Sequence, residues 1–211
     1  MTKFVYFFSL YFALSFGMLS AQSSSQEAGV KSNVFDITAS AKLGSAILNT
    51  SDYIDLSGNV VSSEVLIGYT IRNRFKISTG AALTNFNANV FVGGQQFGLQ
   101  SQFLQIPLKV NIGYDLVKLS GPQQIDLVFG VGAIGSYQLN EELRGADTET
   151  DNDTQGWHVG LVVELGVNLS IKEDLALGIF LENNFPNTEL AEGDEVSLDN
   201  RLVKFSFNYQ F

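Results

Sequence analysis

The chain has 211 residues, no cysteine and a formal net charge of −10. These features exclude disulfides, thiolate chemistry, cysteine-ligated metals and a lipidated cysteine, and they disfavour nucleic acid, whose phosphates demand a basic stripe. Only 16% of the residues are charged while 12% are aromatic, so the length suits one domain with a large apolar surface to place.

The chain opens on a targeting segment. Lys3 supplies a positive start, residues 4–19 are uncharged and mostly apolar, and Ser20-Ala21-Gln22 offers a small-residue cleavage site. Residues 1–21 therefore read as a signal peptide cleaved after Ala21, residues 22–32 as a flexible Ser-rich lead-in, and residues 33–211 as the folded domain. A retained anchor is the alternative, although the apolar run is short for the roughly 20 residues of a helical span.

Period-two alternation then dominates. Phe35, Ile37, Ala39, Ala41 and Leu43 alternate with Asp36, Thr38, Ser40, Lys42 and Gly44, which predicts a first strand. A polar loop follows, and Val65, Ile67, Tyr69 and Ile71 alternate with Glu64, Leu66, Gly68, Thr70 and Arg72. After a turn at Asn73, Phe75 to Leu83 repeats the pattern with Lys76 on the polar face. Asn85 to Gly98 reads as a longer connection, in which Val90-Phe91-Val92 could extend the hairpin. Leu104 to Tyr114 interleaves with Gln105, Pro107, Lys109, Asn111, Gly113 and Asp115. Pro107 cannot donate to a ladder, so a bulge or a missing bond is expected there.

Beyond a turn at Ser120-Gly121-Pro122, Ile125 to Ala133 alternates with Asp126, Val128, Gly130, Gly132 and Ile134. An acidic loop precedes Trp157 to Leu169, which faces away from His158 and Glu164. Lys172-Glu173 turns the chain into Leu175 to Leu181, opposite Phe180 and Glu182. A second acidic loop leads to Val203, Phe205, Phe207, Tyr209 and Phe211, opposite Lys204, Ser206, Asn208 and Gln210. The expected fold is all-β: an eight-stranded antiparallel up-and-down transmembrane β-barrel. Four long external loops near residues 45–61, 85–99, 138–156 and 184–199 would alternate with tight turns.

A soluble barrel with an apolar interior is the competing arrangement. Three features favour the membrane form. The polar face is rich in Gly, Ser, Thr and Asn instead of being densely charged. The apolar face of these strands carries no charge, as lipid requires. Tyr69, Tyr114, Trp157, Tyr209 and Phe211 lie near strand ends, where an interfacial girdle belongs. Such a sheet must close, because hydrocarbon offers no partner to a free edge. The expected location is the bacterial outer membrane, with lipid and the barrel-assembly machinery as partners. Phe205, Phe207, Tyr209 and Phe211 would form the assembly signal, so deleting Phe211 is expected to impair assembly.

The inward face collects opposite charges: Asp36, Glu64, Asp126, Glu164 and Glu182 against Lys42, Arg72, Lys76, Lys109 and Lys204. They predict a plugged, salt-bridged lumen, with a narrow gated pore as the alternative. No catalytic constellation is expected. His158 is the single histidine, no nucleophile elbow surrounds a serine, and no phosphate-cradling loop precedes a helix. No cofactor is expected. Asp147, Glu149, Asp151 and Asp153 partly match the oxygen-ligand spacing of a calcium loop, but the distal bidentate Glu is missing; a solvated acidic loop is the other reading. With Glu189, Glu192, Asp194 and Glu195, this loop would make one rim electronegative.

The alternating strands and final Phe211 resemble the small OmpA/OmpX-type barrels. Phe103-Leu104-Gln105-Ile106-Pro107-Leu108-Lys109 resembles the "Y-L-E-I-P-L-L-L-K" strand of the outer-membrane β-barrel family that includes PorT, and Gly130-Val131-Gly132-Ala133 resembles its "G-x-G" segment. Phe103 and Gln105 replace the usual Tyr and Glu. The resemblance implies an outer-membrane barrel and an accessory role in protein secretion. The residues themselves point to a structural or surface-interaction role, with a small channel for small or apolar solutes as the transport alternative.

Overall fold

The computed structural model describes residues 34–49, 56–71, 74–92, 95–119, 123–144, 157–187 and 197–211. The expected signal peptide and lead-in lie outside the described residues, as do Arg72, the calcium candidates Asp147, Glu149, Asp151 and Asp153, and the acidic group from Glu189 to Glu195.

Eight strands form in chain order: β1 Val34–Asn49, β2 Leu56–Ile71, β3 Phe75–Val92, β4 Gln95–Lys118, β5 Gln124–Arg144, β6 Trp157–Lys172, β7 Leu175–Asn187 and β8 Ser197–Gln210. Each pairs antiparallel with its sequence neighbour, and β1 pairs with β8 to close the barrel. The closing register sets Ile37 against Tyr209 and Leu43 against Val203. At its end the Phe211 amide donates to the Phe35 carbonyl over 3.0 Å. β8 is thus bonded along both sides, with Phe205, Phe207 and Tyr209 outward and Lys204 inward.

The strands run from 13 residues in β7 to 24 in β4, well beyond the roughly 9–11 needed to cross a bilayer. The excess corrects the expected loops. Residues 45–49, 56–61, 85–92, 95–99, 138–144, 184–187 and 197–199 belong to strands, and β3 and β4 are separated by only residues 93–94. Along the membrane-facing half, apolar side chains such as Ile67, Leu108, Leu161 and Ile179 point outward. Past that band the alternation keeps its phase but exchanges its chemistry. Ser45, Asn59, Asn87 and Asn89 now point outward, while Ala46, Leu48, Val60, Phe86 and Ala88 point inward. A strand with polar residues outside and apolar residues inside suits water on its outer face. The barrel wall therefore continues past the apolar band, away from the short-turn end that holds β2–β3, β4–β5 and β6–β7.

Pro107 leaves a missing bond instead of a bulge. Thr79 pairs with Leu108, and pairing resumes at Ala82 with Gln105 in the same register. The Thr79 hydroxyl donates to the Pro107 carbonyl over 2.9 Å. The irregularities of β4 fall elsewhere, at Gln102/Phe103 and Asp115/Val117 against β5.

Candidate functional site

The lumen gathers most of the inward charges in a single layer. Its cations are Lys42 from β1, Lys109 from β4 and Lys204 from β8; its anions are Glu64 from β2, Glu164 from β6 and Glu182 from β7. All six are at most 3% exposed. Lys109 donates to Glu182 at 2.7 Å, Glu64 at 3.2 Å and Glu164 at 3.3 Å. Lys42 reaches Glu64 and Glu182, each at 2.7 Å, and Lys204 reaches Glu164 at 2.5 Å. The Asn111 amide donates to Glu164, and the Lys204 ammonium lies 4.5 Å from the centroid of the Phe180 ring.

The register explains why the network needs both signs from several strands. Glu164 lies directly opposite Glu182 on β6 and β7, and Lys42 directly opposite Lys204 on β1 and β8. Like charges on adjacent strands repel, and opposite charges offset each pair: Lys109 of β4 bonds both Glu164 and Glu182, while Lys42 bonds Glu64 of the neighbouring β2 and Glu182 of β7, and Lys204 bonds Glu164. Three ammoniums meet three carboxylates, and the layer is neutral overall. Gly130 makes room for it: a Cβ there would collide with the Asn111 amide and with Glu164.

Towards the short-turn end lies a smaller group. Lys76 pairs with Asp36 at 2.5 Å and donates to the Thr38 hydroxyl at 2.9 Å. The Asn208 amide donates to both Asp36 and Thr38 at 2.7 Å. Asp126 stands apart from both groups. It accepts from Gln124, which also donates to Asp115, so it belongs to the short-turn rim and not to the central network.

On the opposite side of the charged layer, Thr84 donates to the Gln105 side-chain oxygen at 2.7 Å and accepts from the Ser62 hydroxyl at 2.8 Å, and Gln105 donates to Ser136 at 3.2 Å. Beyond them an apolar plug fills the bore. Leu48 and Phe86 are 0% exposed and Val60 and Phe103 1%, packed with Ala46, Leu99, Leu198 and Leu202. The sequence reading missed this plug because most of its residues, including Leu48, Val60, Phe86 and Leu198, fall in expected loops. The signal was present in Asn85-Phe86-Asn87-Ala88-Asn89, a strict alternation with polar residues on the apolar band's face. His158 sits buried inside β6 near the hairpin end. With Phe103, Gln105, Ser136 and Asn184 it lines a cavity of about 20 Å³, enough for roughly one water.

No sequence family matches the chain, and no protein of curated function matches it. Solved structures do resemble it. The outer membrane protein OprG from Pseudomonas aeruginosa is 17% identical, with 87% of this chain and 98% of that one covered at a TM-score of 0.50. Neisserial surface protein A is 16% identical over 84% and 97% of the two chains, TM-score 0.48. Ail, the attachment invasion locus protein of Yersinia pestis, is 8% identical over 85% and 99%, TM-score 0.43. The chain has the eight-stranded up-and-down barrel fold of outer-membrane β-barrel proteins.

Proposed function

We propose that the chain is an integral outer-membrane β-barrel without catalytic activity, whose lumen is closed and whose role is structural or surface-interacting. The observation that carries this reading is the sequence of layers inside the bore: a neutral six-charge network and, beyond it, an apolar plug of side chains at most 8% exposed. A conducting path needs a continuous wet lumen, and these layers oppose one. The hairpins that continue past the apolar band are then the surface available for recognition. Lipid and the barrel-assembly machinery are the partners this architecture requires. Planar-bilayer recordings on the purified protein test closure: an electrically silent bilayer is expected, and stable discrete openings would overturn it and favour a small channel. Heat-modifiable migration on a detergent gel tests the closed barrel, which should migrate faster before boiling than after.

The stretch Phe103–Lys109 supports a more specific reading, an accessory part of a secretion system as in the PorT-like family. In that stretch Gln105 and Lys109 join the inner network while Pro107 interrupts the ladder. Co-purification of a stable partner from detergent-solubilised outer membranes is the expected result of that role, and recovery of the barrel alone would remove it.

A further inference from the structure

The outward face of β7, β8 and β1 contains a polar notch at the hairpin-side margin of its apolar band. Arg201 is exposed on β8 and lies directly opposite Asn183 of β7 on one side and Ser45 of β1 on the other. All three side chains point outward and are exposed. On the short-turn side the notch is bounded by Leu181, Val203 and Leu43, and on the hairpin side by Phe185 and Ile47, all exposed apolar residues. The row continues across the wall through Asn59, Asn87 and Gln100, where the outward face has become polar throughout.

An arginine on the lipid face is costly at the midplane but nearly free near the interface. Arg201 therefore marks the headgroup level on this side of the barrel. Among the described residues its guanidinium has no ion pair or hydrogen bond. Asp199 occupies the next outward position on β8 and is not bonded to it. The other exposed cations of described placement, Arg74, Lys118 and Lys172, lie at the short-turn end. Guanidinium is the side chain best matched to a phosphate, through two parallel charge-assisted bonds. The Asn183 amide and the Ser45 hydroxyl supply flanking donors at the same level.

We propose that Arg201, Asn183 and Ser45 form a binding site for a phosphate carried on a lipid headgroup of the outer leaflet. Leu181, Val203 and Leu43, on the short-turn side of the notch, pack along the acyl chains of the same lipid. The site rests on the outer-membrane reading, because it needs a leaflet at the level of the notch.

Titration of the full-length protein in uncharged detergent micelles tests the site, with bisphosphorylated lipid A, dephosphorylated lipid A and inorganic phosphate as probes. The phosphorylated lipid should bind about tenfold more tightly than its dephosphorylated form, the increment of roughly one charge-assisted hydrogen bond. Arg201→Gln should erase that preference, and Arg201→Lys should retain part of it. Equal affinity for the two lipids, or an undiminished preference in Arg201→Gln, overturns the site. Competition by inorganic phosphate at equal concentration would show a free-anion site and overturn the lipid assignment. Heat-modifiable migration of each variant separates the causes. A missing preference in a heat-modifiable protein removes only this inference, whereas a wild-type chain that is not heat-modifiable removes the membrane-barrel reading with it.

Discussion

The two halves of the barrel are built from the same strands with opposite chemistry. In the membrane-facing half the outward row is Ile37, Val65, Leu108 and Phe205, and the inward row holds Lys42, Glu64, Lys109 and Lys204. In the hairpin half the outward row is Ser45, Asn59 and Asn87, and the inward row is Leu48, Val60 and Phe86. Backbone pairing is continuous through the change, since β1 and β2 keep one register from Val34 to Leu48. Period two specifies a strand but not which face is wet. The medium outside decides that, and here it changes along a single strand.

The largest effect expected from breaking this comparison is in the charged layer. Lys109→Ala would leave three buried carboxylates with two ammoniums, and removing one member of a buried ionic group costs about 4 kcal/mol. The unfolding midpoint in urea, followed by the heat-modifiable band, should fall accordingly. A midpoint unchanged from wild type would mean that the layer is hydrated and not closed. Phe86→Ala in the plug should cost about 3 kcal/mol through cavity formation, read in the same assay. A much smaller loss would show that the hairpin half is loosely packed.

The outer face offers a sharper contrast. Leu108→Arg places a cation in the apolar band and should destabilise the folded barrel by about 2 kcal/mol or more. Asn87→Arg, also outward but past the band, should change stability by less than about 0.5 kcal/mol. Equal costs at the two positions would place Asn87 in lipid and remove the distinction between the halves.

Much of this was legible in the residues. The alternations from Phe35 to Leu43 and from Val203 to Phe211 define strands, their outward faces and the closure between them, because lipid exposure demands an unbroken apolar row. The hairpin half was harder to read. Where polar residues take over the outward row, a search for apolar alternation stops, and Arg201, two places before Val203, falls between the expected loop and the expected closing strand. Its neighbours Leu198, Asn200 and Leu202 continue the inward row without interruption. The phase of the pattern was therefore a better guide than its polarity.

The pairing of charges belongs to the other category. Composition and alternation place Lys42, Lys109, Lys204, Glu64, Glu164 and Glu182 on the inward face. They do not say that Lys42 bonds Glu64 and Glu182, 22 and 140 positions away along the chain, or that Asp126 stays at the rim beside Gln124. Likewise, nothing local brings Ser45, Asn183 and Arg201 into one row. The sequence by itself determines which face each side chain takes, because facing follows from backbone geometry residue by residue. Only the closed barrel decides which residues share a level, because that depends on the stagger accumulated over eight strand pairings as the sheet returns to β1.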